Sequence, residues 1–222
     1  MWHAEAMGSE AIDRASVDVL LFDLGGVVID IDFGRCIQHW ATQADREYDD
    51  IASRFTFDAA YEDHERGDLD AAGYFAALRL VLSVELDDAT LLTGWNDIYM
   101  GTVDGIEPLL ASAAQHFPLD AFSNTNRSHQ DEWSTQFADE LALFRTIYVS
   151  SELGERKPDL SSYDAVVRRI GVPAGRILFF DDNSDNVVGA VDAGLQAVLV
   201  RSIEDVRTAL IDLEVDLGVD PT

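Results

Sequence analysis

Short apolar runs rich in β-branched and aromatic residues recur along the chain, separated by stretches with apolar residues at helical spacing. The first run, Val17-Asp-Val-Leu-Leu-Phe22, is closed by Asp23-Leu-Gly-Gly26, the pattern of a buried strand that ends in a tight turn. Similar runs lie at residues 119–122, 146–149, 176–180 and 196–200. Between them, residues 105–116 put Ile106, Leu109, Leu110 and Ala113 on one helical face before Pro118 stops the segment. Residues 160–170 do the same with Tyr163, Val166, Val167 and Ile170, and Gly171 follows as the stop. Helices are also predicted over 184–193, ended by Gly194, and over 203–213. Strands alternating with helices predict an α/β fold, a Rossmann-like parallel sheet with helices on both faces.

Residues 33–103 read differently. They show no strand pattern and predict helices over 36–44, 50–62, 71–82 and 88–99. An all-helical insert of this length is the size of a small cap domain rather than a loop. The expected organisation is a tail at 1–16 with Met7 as an alternative start, a core from 17–32 and 104–222, and an α-helical cap at 33–103.

Composition narrows the function classes. Of 222 residues, 47% are hydrophobic, enough for one core plus a small accessory domain. The 42 acidic residues outnumber the 15 Lys and Arg, for a net charge of −27. Such a field repels phosphodiester backbones and anionic lipid, which argues against nucleic acid and membrane surfaces as partners. A solvated acidic coat of the salt-adapted kind accounts for the charge. The single cysteine, Cys36, excludes an internal disulfide or a multi-cysteine zinc site, and reads as a packing residue near the start of the cap. No apolar run approaches the ~18–20 residues that span a bilayer. The first sixteen residues carry Glu5, Glu10 and Asp13 and lack the basic and apolar regions of a leader, so a soluble, cytoplasmic protein is expected.

Ligands of open parallel sheets bind at the carboxyl ends of the strands, so the residues just past each predicted strand are the candidates. Asp23, Gly25 and Gly26 follow the first, and Ser123, Asn124, Thr125 and Asn126 the second. The third leads to Ser150, Gly154, Arg156 and Lys157, and the fourth into Asp181, Asp182, Asn183, Asp185 and Asn186. Three carboxylates, a hydroxyl, an amide and a cation on one sheet edge can hold Mg²⁺ through hard oxygens and a phosphoryl group through the rest. Lys157 is the only lysine; the other fourteen basic residues are arginine. Each piece also has a plainer reading. Asp23 fits a turn before Gly25, Asp181-Asp182 fit acids at the start of a helix, and Ser123 and Asn124 fit helix caps. Adjacent carboxylates after an apolar strand favour a cation between them.

Phe22-Asp-Leu-Gly-Gly-Val-Val-Ile-Asp-Ile-Asp32, Ser123-Asn-Thr-Asn126, Gly154-Glu-Arg-Lys-Pro-Asp159 and Phe179-Phe-Asp-Asp-Asn-Ser-Asp-Asn186 resemble, in order, the four motifs of the haloacid dehalogenase (HAD) superfamily. The resemblance runs from about residue 17 to 205 and includes the helical cap position of the C1-capped subgroup. Asp30-Ile-Asp-Phe33, His64-Glu-Arg-Gly67 and Ser123-Asn-Thr-Asn-Arg127 are most similar to bacterial α-D-glucose-1-phosphate phosphatase-like proteins.

The resemblance implies a HAD-type phosphatase acting on a small phosphorylated substrate, a sugar phosphate by the closing cap. Asp23 would be the nucleophile that forms an aspartyl-phosphate. Mg²⁺ would be held by Asp23, the carbonyl of Gly25 and Asp182, with Asp181 and Asn186 near it. Ser123 and the backbone at Asn124 would bind the phosphoryl oxygens, and Lys157 would pair with Asp23 and the phosphate. His64, Glu65 and Arg66 would be substrate contacts or a charged cluster on the cap surface. One position departs from the pattern: phosphatases of the superfamily usually carry an acid/base Asp two residues after the nucleophile, where this chain has Gly25. Asp30 and Asp32 are candidate substitutes. That departure keeps two alternatives open, a 2-haloacid dehalogenase-like hydrolase and a non-catalytic HAD-fold binding protein. Position 25 has no aromatic residue of the dehalogenase kind, and Asp23, Lys157 and Asp182 are all present, as turnover would require.

Overall fold

A computed structural model of the protein describes residues 12–218; the first eleven residues of the expected tail, Met7 among them, lie outside the described residues. The chain runs through β1 (Val19–Phe22), β2 (Ile29–Ile31), α1 (Phe33–Gln43), α2 (Tyr48–Ala52), α3 (Ala59–Arg66), α4 (Ala71–Leu82), α5 (Asp88–Asn96) and β3 (Tyr99–Thr102). It continues through α6 (Ile106–Ala113), β4 (Leu119–Ser123), α7 (Arg127–Gln136), α8 (Ala138–Leu141), β5 (Thr146–Val149), α9 (Ser150–Leu153) and α10 (Leu160–Ile170). It closes with β6 (Ile177–Asp181), α11 (Ser184–Asp192), β7 (Gln196–Leu199) and α12 (Ile203–Asp212). Five parallel strands form one sheet in the order β5-β4-β1-β6-β7, so the fold is the expected α/β, Rossmann-like one.

β1 is central and wholly buried because both of its faces are covered. Leu20 and Phe22 point into a cluster with Ile106 and Leu110 of α6, Trp133 of α7 and Leu210 of α12. Val19 and Leu21 point the other way, to Tyr163 and Val166 of α10 and Ala190 of α11. The β1–β6 register sets Phe22 level with Phe180, their rings stacked 4.5 Å apart, so the next residues on each strand, Asp23 and Asp181, leave the sheet side by side.

Helices α1 to α5 pack around a separate cluster that includes Trp40, Phe75, Leu82, Leu91 and Trp95. Part of the acid excess is local structure. Asp32, Asp58, Asp70 and Asp87 cap α1, α3, α4 and α5, each accepting a backbone N–H of the first turn. Cys36 is buried in this cluster, and burial pushes its thiol far above the ordinary range, as a packing residue requires.

Three expectations change. The segment 33–103 does contain a strand: β3 pairs antiparallel with β2, Ile29 opposite Thr102, and zips together the two ends of the inserted segment. Its four residues are partly exposed and include Gly101, so they carry no apolar alternation. The predicted helix over 50–62 is two helices, because Asp58 caps α3 and the preceding loop turns Phe57 outward. Helix α7 carries too few apolar residues to be seen by period; only His129 and Trp133 are buried. Among the described residues, no helix is long and apolar enough to cross a membrane.

Candidate active site

The strand ends converge as the strand-edge rule predicts. Asp23 is buried in the turn after β1, where its backbone N–H donates to the Phe180 carbonyl at 2.8 Å and its carboxylate accepts the Leu24 N–H at 2.7 Å. Lys157 lies opposite, wholly buried, with Nζ 2.9 Å from Asp23 Oδ1 and 2.7 Å from Asp181 Oδ2. The rings of Phe122 and Phe179, each 5.3 Å from Nζ, wall it off from water.

Asp181 is fully buried and well satisfied. Besides Lys157 it accepts the Asn183 N–H at 2.8 Å and the Asn186 side-chain amide at 3.0 and 3.1 Å. Its role is to anchor Lys157 and the start of α11. Asp182 is exposed and faces Gly26, whose φ of +76° and bare Cα leave room for that carboxylate; a Cβ there would collide with it. Ser123 ends β4 at the same edge, buried. Asn124 does something its sequence position did not suggest: its side chain donates to the Lys157 carbonyl and accepts the Lys157 N–H, both at 2.9 Å. It clamps the loop that carries the lysine.

Oxygens of Asp23, Asp181 and Asp182 lie within 4.8 Å of one another. Burial and the two neighbouring carboxylates push the Asp23 carboxyl well above its usual range, against the pull of Lys157. Partial desolvation of its carboxyl, then the Asp181 charge, also raise Asp182. Burial would lower the Lys157 ammonium, but Asp181 and Asp23 outweigh it and hold the charge in place. Three carboxylates against one ammonium leave two negative charges unbalanced. A hard divalent cation held by carboxylate oxygens fits that donor set, and the residues present therefore suit Mg²⁺.

These groups open into a cleft of about 430 Å³ between the sheet edge and α1–α3, lined by Asp23, Gly25, Ser123, Asn124, Asp182 and Asn186 on one side and by Phe33, Phe57, Tyr61 and Glu65 on the other. Glu65 lines the cleft with its carboxylate already paired, whereas Arg66 lies in a partly exposed charge cluster with Glu62, Asp63 and Asp159. Glu65 is buried, accepting from the Tyr61 hydroxyl at 2.8 Å and from Arg156 Nε at 2.9 Å. Arg66 pairs with Glu62 and reaches Asp159 in the loop before α10. His64 is buried, donating from Nδ1 to the Leu69 carbonyl. Glu65 and Arg66 tie α3 to the core, while His64 holds the turn that follows α3. His129, which also lines the cleft, is pushed by burial down to about 3 and is neutral at working pH. Asp30 is exposed and Asp32 caps α1, and neither lines the cleft.

The parallel sheet and the polar groups gathered at its strand ends define an α/β protein with one candidate site on the sheet edge, and its likeness to known proteins points the same way. Residues 95–200 match the family model for haloacid dehalogenase-like hydrolases. The chain is 24% identical to a D-ribitol-5-phosphate phosphatase of Bacteroides thetaiotaomicron over 86% of its length and 95% of that protein. It is 30% identical to flavin mononucleotide hydrolase 1 of Arabidopsis thaliana over 53% of its length. That match spans 47% of the plant protein, and a match to a drimenol cyclase of Aspergillus calidoustus spans 14% of that one. A crystal structure of a HAD family enzyme from Bacteroides thetaiotaomicron, in complex with magnesium and inorganic phosphate, superposes with a TM-score of 0.70 at 24% identity, over 82% of this chain and 92% of that one. Residues 95–200 are thus similar to haloacid dehalogenase-like hydrolases, and the relatives that the chain matches include phosphatases.

Proposed function

We propose that the protein is a Mg²⁺-dependent phosphomonoester hydrolase, with Asp23 as nucleophile. The observation that carries this reading is the Asp23–Lys157–Asp181 arrangement, with Ser123 and Asp182 on the same cleft. Asp23, the Gly25 carbonyl and Asp182 would hold the cation, which supplies positive charge against the phosphoryl oxygens. Ser123 and the backbone at Asn124 hold those oxygens, and Lys157 offsets repulsion between the nucleophile and a phosphate dianion. The Asp23 carboxylate forms an O–P bond as the ester O–P bond breaks, and the leaving oxygen takes its proton from water. A second water then attacks phosphorus, and the Asp23–phosphate bond breaks to return the carboxylate and free phosphate. The names of two relatives, a ribitol-phosphate phosphatase and a flavin mononucleotide hydrolase, support small phosphomonoesters as substrates; sugar phosphates are the first class to assay.

The test is phosphate release from a panel of sugar and alkyl phosphates with Mg²⁺ and with EDTA, using Asp23→Asn as the blank. Metal-dependent release above that blank is expected. Release by Asp23→Asn at the wild-type rate, or no release from any member, would overturn the assignment.

A further inference from the structure

The two walls of the cleft differ in chemistry. The sheet edge is polar and charged, whereas the facing wall is Ile31, Phe33, Phe57 and Tyr61, extended on the core side by Trp133. Three of the polar groups set beside that second wall already have partners. The Tyr61 hydroxyl and Arg156 Nε both bond to Glu65, and His129 donates to the Trp95 carbonyl while accepting from Asn126. Ile31 also fills the space beside Gly25: a Cβ at position 25 would lie 3.0 Å from its Cδ1. Phe57 is 57% exposed although three rings pack around it, those of Phe33, Phe55 and Tyr61 with centroids 5.2, 5.5 and 4.8 Å away. These rings form one contiguous aromatic patch beside a charged cleft, and such a patch, unlike a single exposed side chain, suits contact with a ligand.

Resting on the phosphomonoester reading above, we propose that the cleft selects substrates whose alcohol portion carries an aromatic or other apolar face. Such a group covers Phe57 and lies against Phe33, Tyr61 and Ile31 while the phosphate reaches Asp23. A polyol laid on the faces of Ile31, Phe33, Phe57 and Tyr61 sets its hydroxyls against carbon, and the hydration lost there is not replaced.

Binding and turnover separate this proposal from the reading it rests on. The wild-type protein with Mg²⁺ is titrated calorimetrically with 2-phenylethylphosphonate and with 2,3-dihydroxypropylphosphonate, neither of which can be hydrolysed. The aryl compound is expected to bind about tenfold tighter or better, the discrimination an apolar pocket gives. Phe57→Ala, at an exposed position, is expected to remove most of that difference. Equal affinity, a preference for the diol or binding of neither compound overturns the proposal. Phosphate release is then compared for 2-phenylethyl phosphate and glycerol 3-phosphate, both primary alkyl esters. Faster release from the aryl ester supports the proposal. An aryl preference in binding with no release from either ester keeps the pocket assignment and overturns the hydrolase assignment instead.

Discussion

Lys157→Met tests the electrostatic core of the site. The substitution keeps most of the side-chain volume between Phe122 and Phe179 but removes the one cation that, among the described residues, pairs with Asp23 and Asp181. Removing one partner of a buried pair costs ~3–5 kcal/mol because the other charge is left behind. Asp181 keeps the Asn183 N–H and the Asn186 amide, which places the expected loss near the lower end, about 3 kcal/mol. For a chain of this size, 1 kcal/mol moves Tm by ~2–4 °C, so the variant should melt roughly 6–12 °C below wild type at pH 7.5 without metal. The pH dependence follows from the carboxyls. Asp23 already lies above its unfolded value with Lys157 present, and removing the ammonium raises it further. A carboxyl raised on folding stabilises below its unfolded pKa, and that contribution is lost as pH rises through the folded one. The deficit should therefore grow as pH rises from the ordinary carboxylate range to the alkaline side of neutral, and Mg²⁺ should shrink it. Circular-dichroism melts across that range, with and without Mg²⁺, measure it, and Lys157→Met/Asp181→Asn should recover more than half of the loss. A variant as stable as wild type at pH 7.5, or a deficit of the same size at pH 5 and pH 8, would refute the charge argument.

Two further substitutions probe the supports of the site. Asn124→Ala removes both bonds to the Lys157 backbone and should cost roughly 1–3 kcal/mol, and it should lower kcat more than it raises KM, as steady-state kinetics with an accepted substrate will show. An unchanged kcat would free Asn124 of its positioning role. Gly26→Ala forces a left-handed φ on a residue with a Cβ and displaces Asp182, so half-saturation by Mg²⁺ should rise at least about tenfold while the far-ultraviolet spectrum is retained. Unaltered metal dependence in a folded Gly26→Ala protein would remove Asp182 from the metal site.

Much of the core was legible because parallel strands covered on both faces are continuous apolar runs, and β1, β4 and β6 are buried along their whole length. What escaped had no such signal. β3 is short, half-exposed and stabilised by pairing with β2, a partner about seventy residues away in sequence. Helix α7 is held by the Asn126 cap and by two buried residues rather than by an apolar stripe. The break before α3 comes from a capping aspartate inside a segment whose spacing alone allows one long helix.

The candidate site divides in the same way. Asp23, Ser123, Asn124, Lys157, Asp181 and Asp182 were found by one rule, because chain topology fixes where strands end and the β1–β6 register then makes Asp23 and Asp181 neighbours. That adjacency explains the lone lysine: two carboxylates brought together at a buried edge need an internal cation, and Lys157 is the residue that meets both. The facing wall was not legible. Phe57, Tyr61 and Glu65 reach the cleft only because α3 lands on the core, through Arg156 to Glu65, Arg66 to Asp159 and the close approach of Gly67 to the Ser151 carbonyl. A Cβ at Gly67 would lie 2.5 Å from that carbonyl oxygen, so the glycine both ends α3 and allows the contact. The polar groups of the sheet edge are thus written in the order of the strands, whereas the shape of the facing wall depends on a long-range contact that no local pattern encodes.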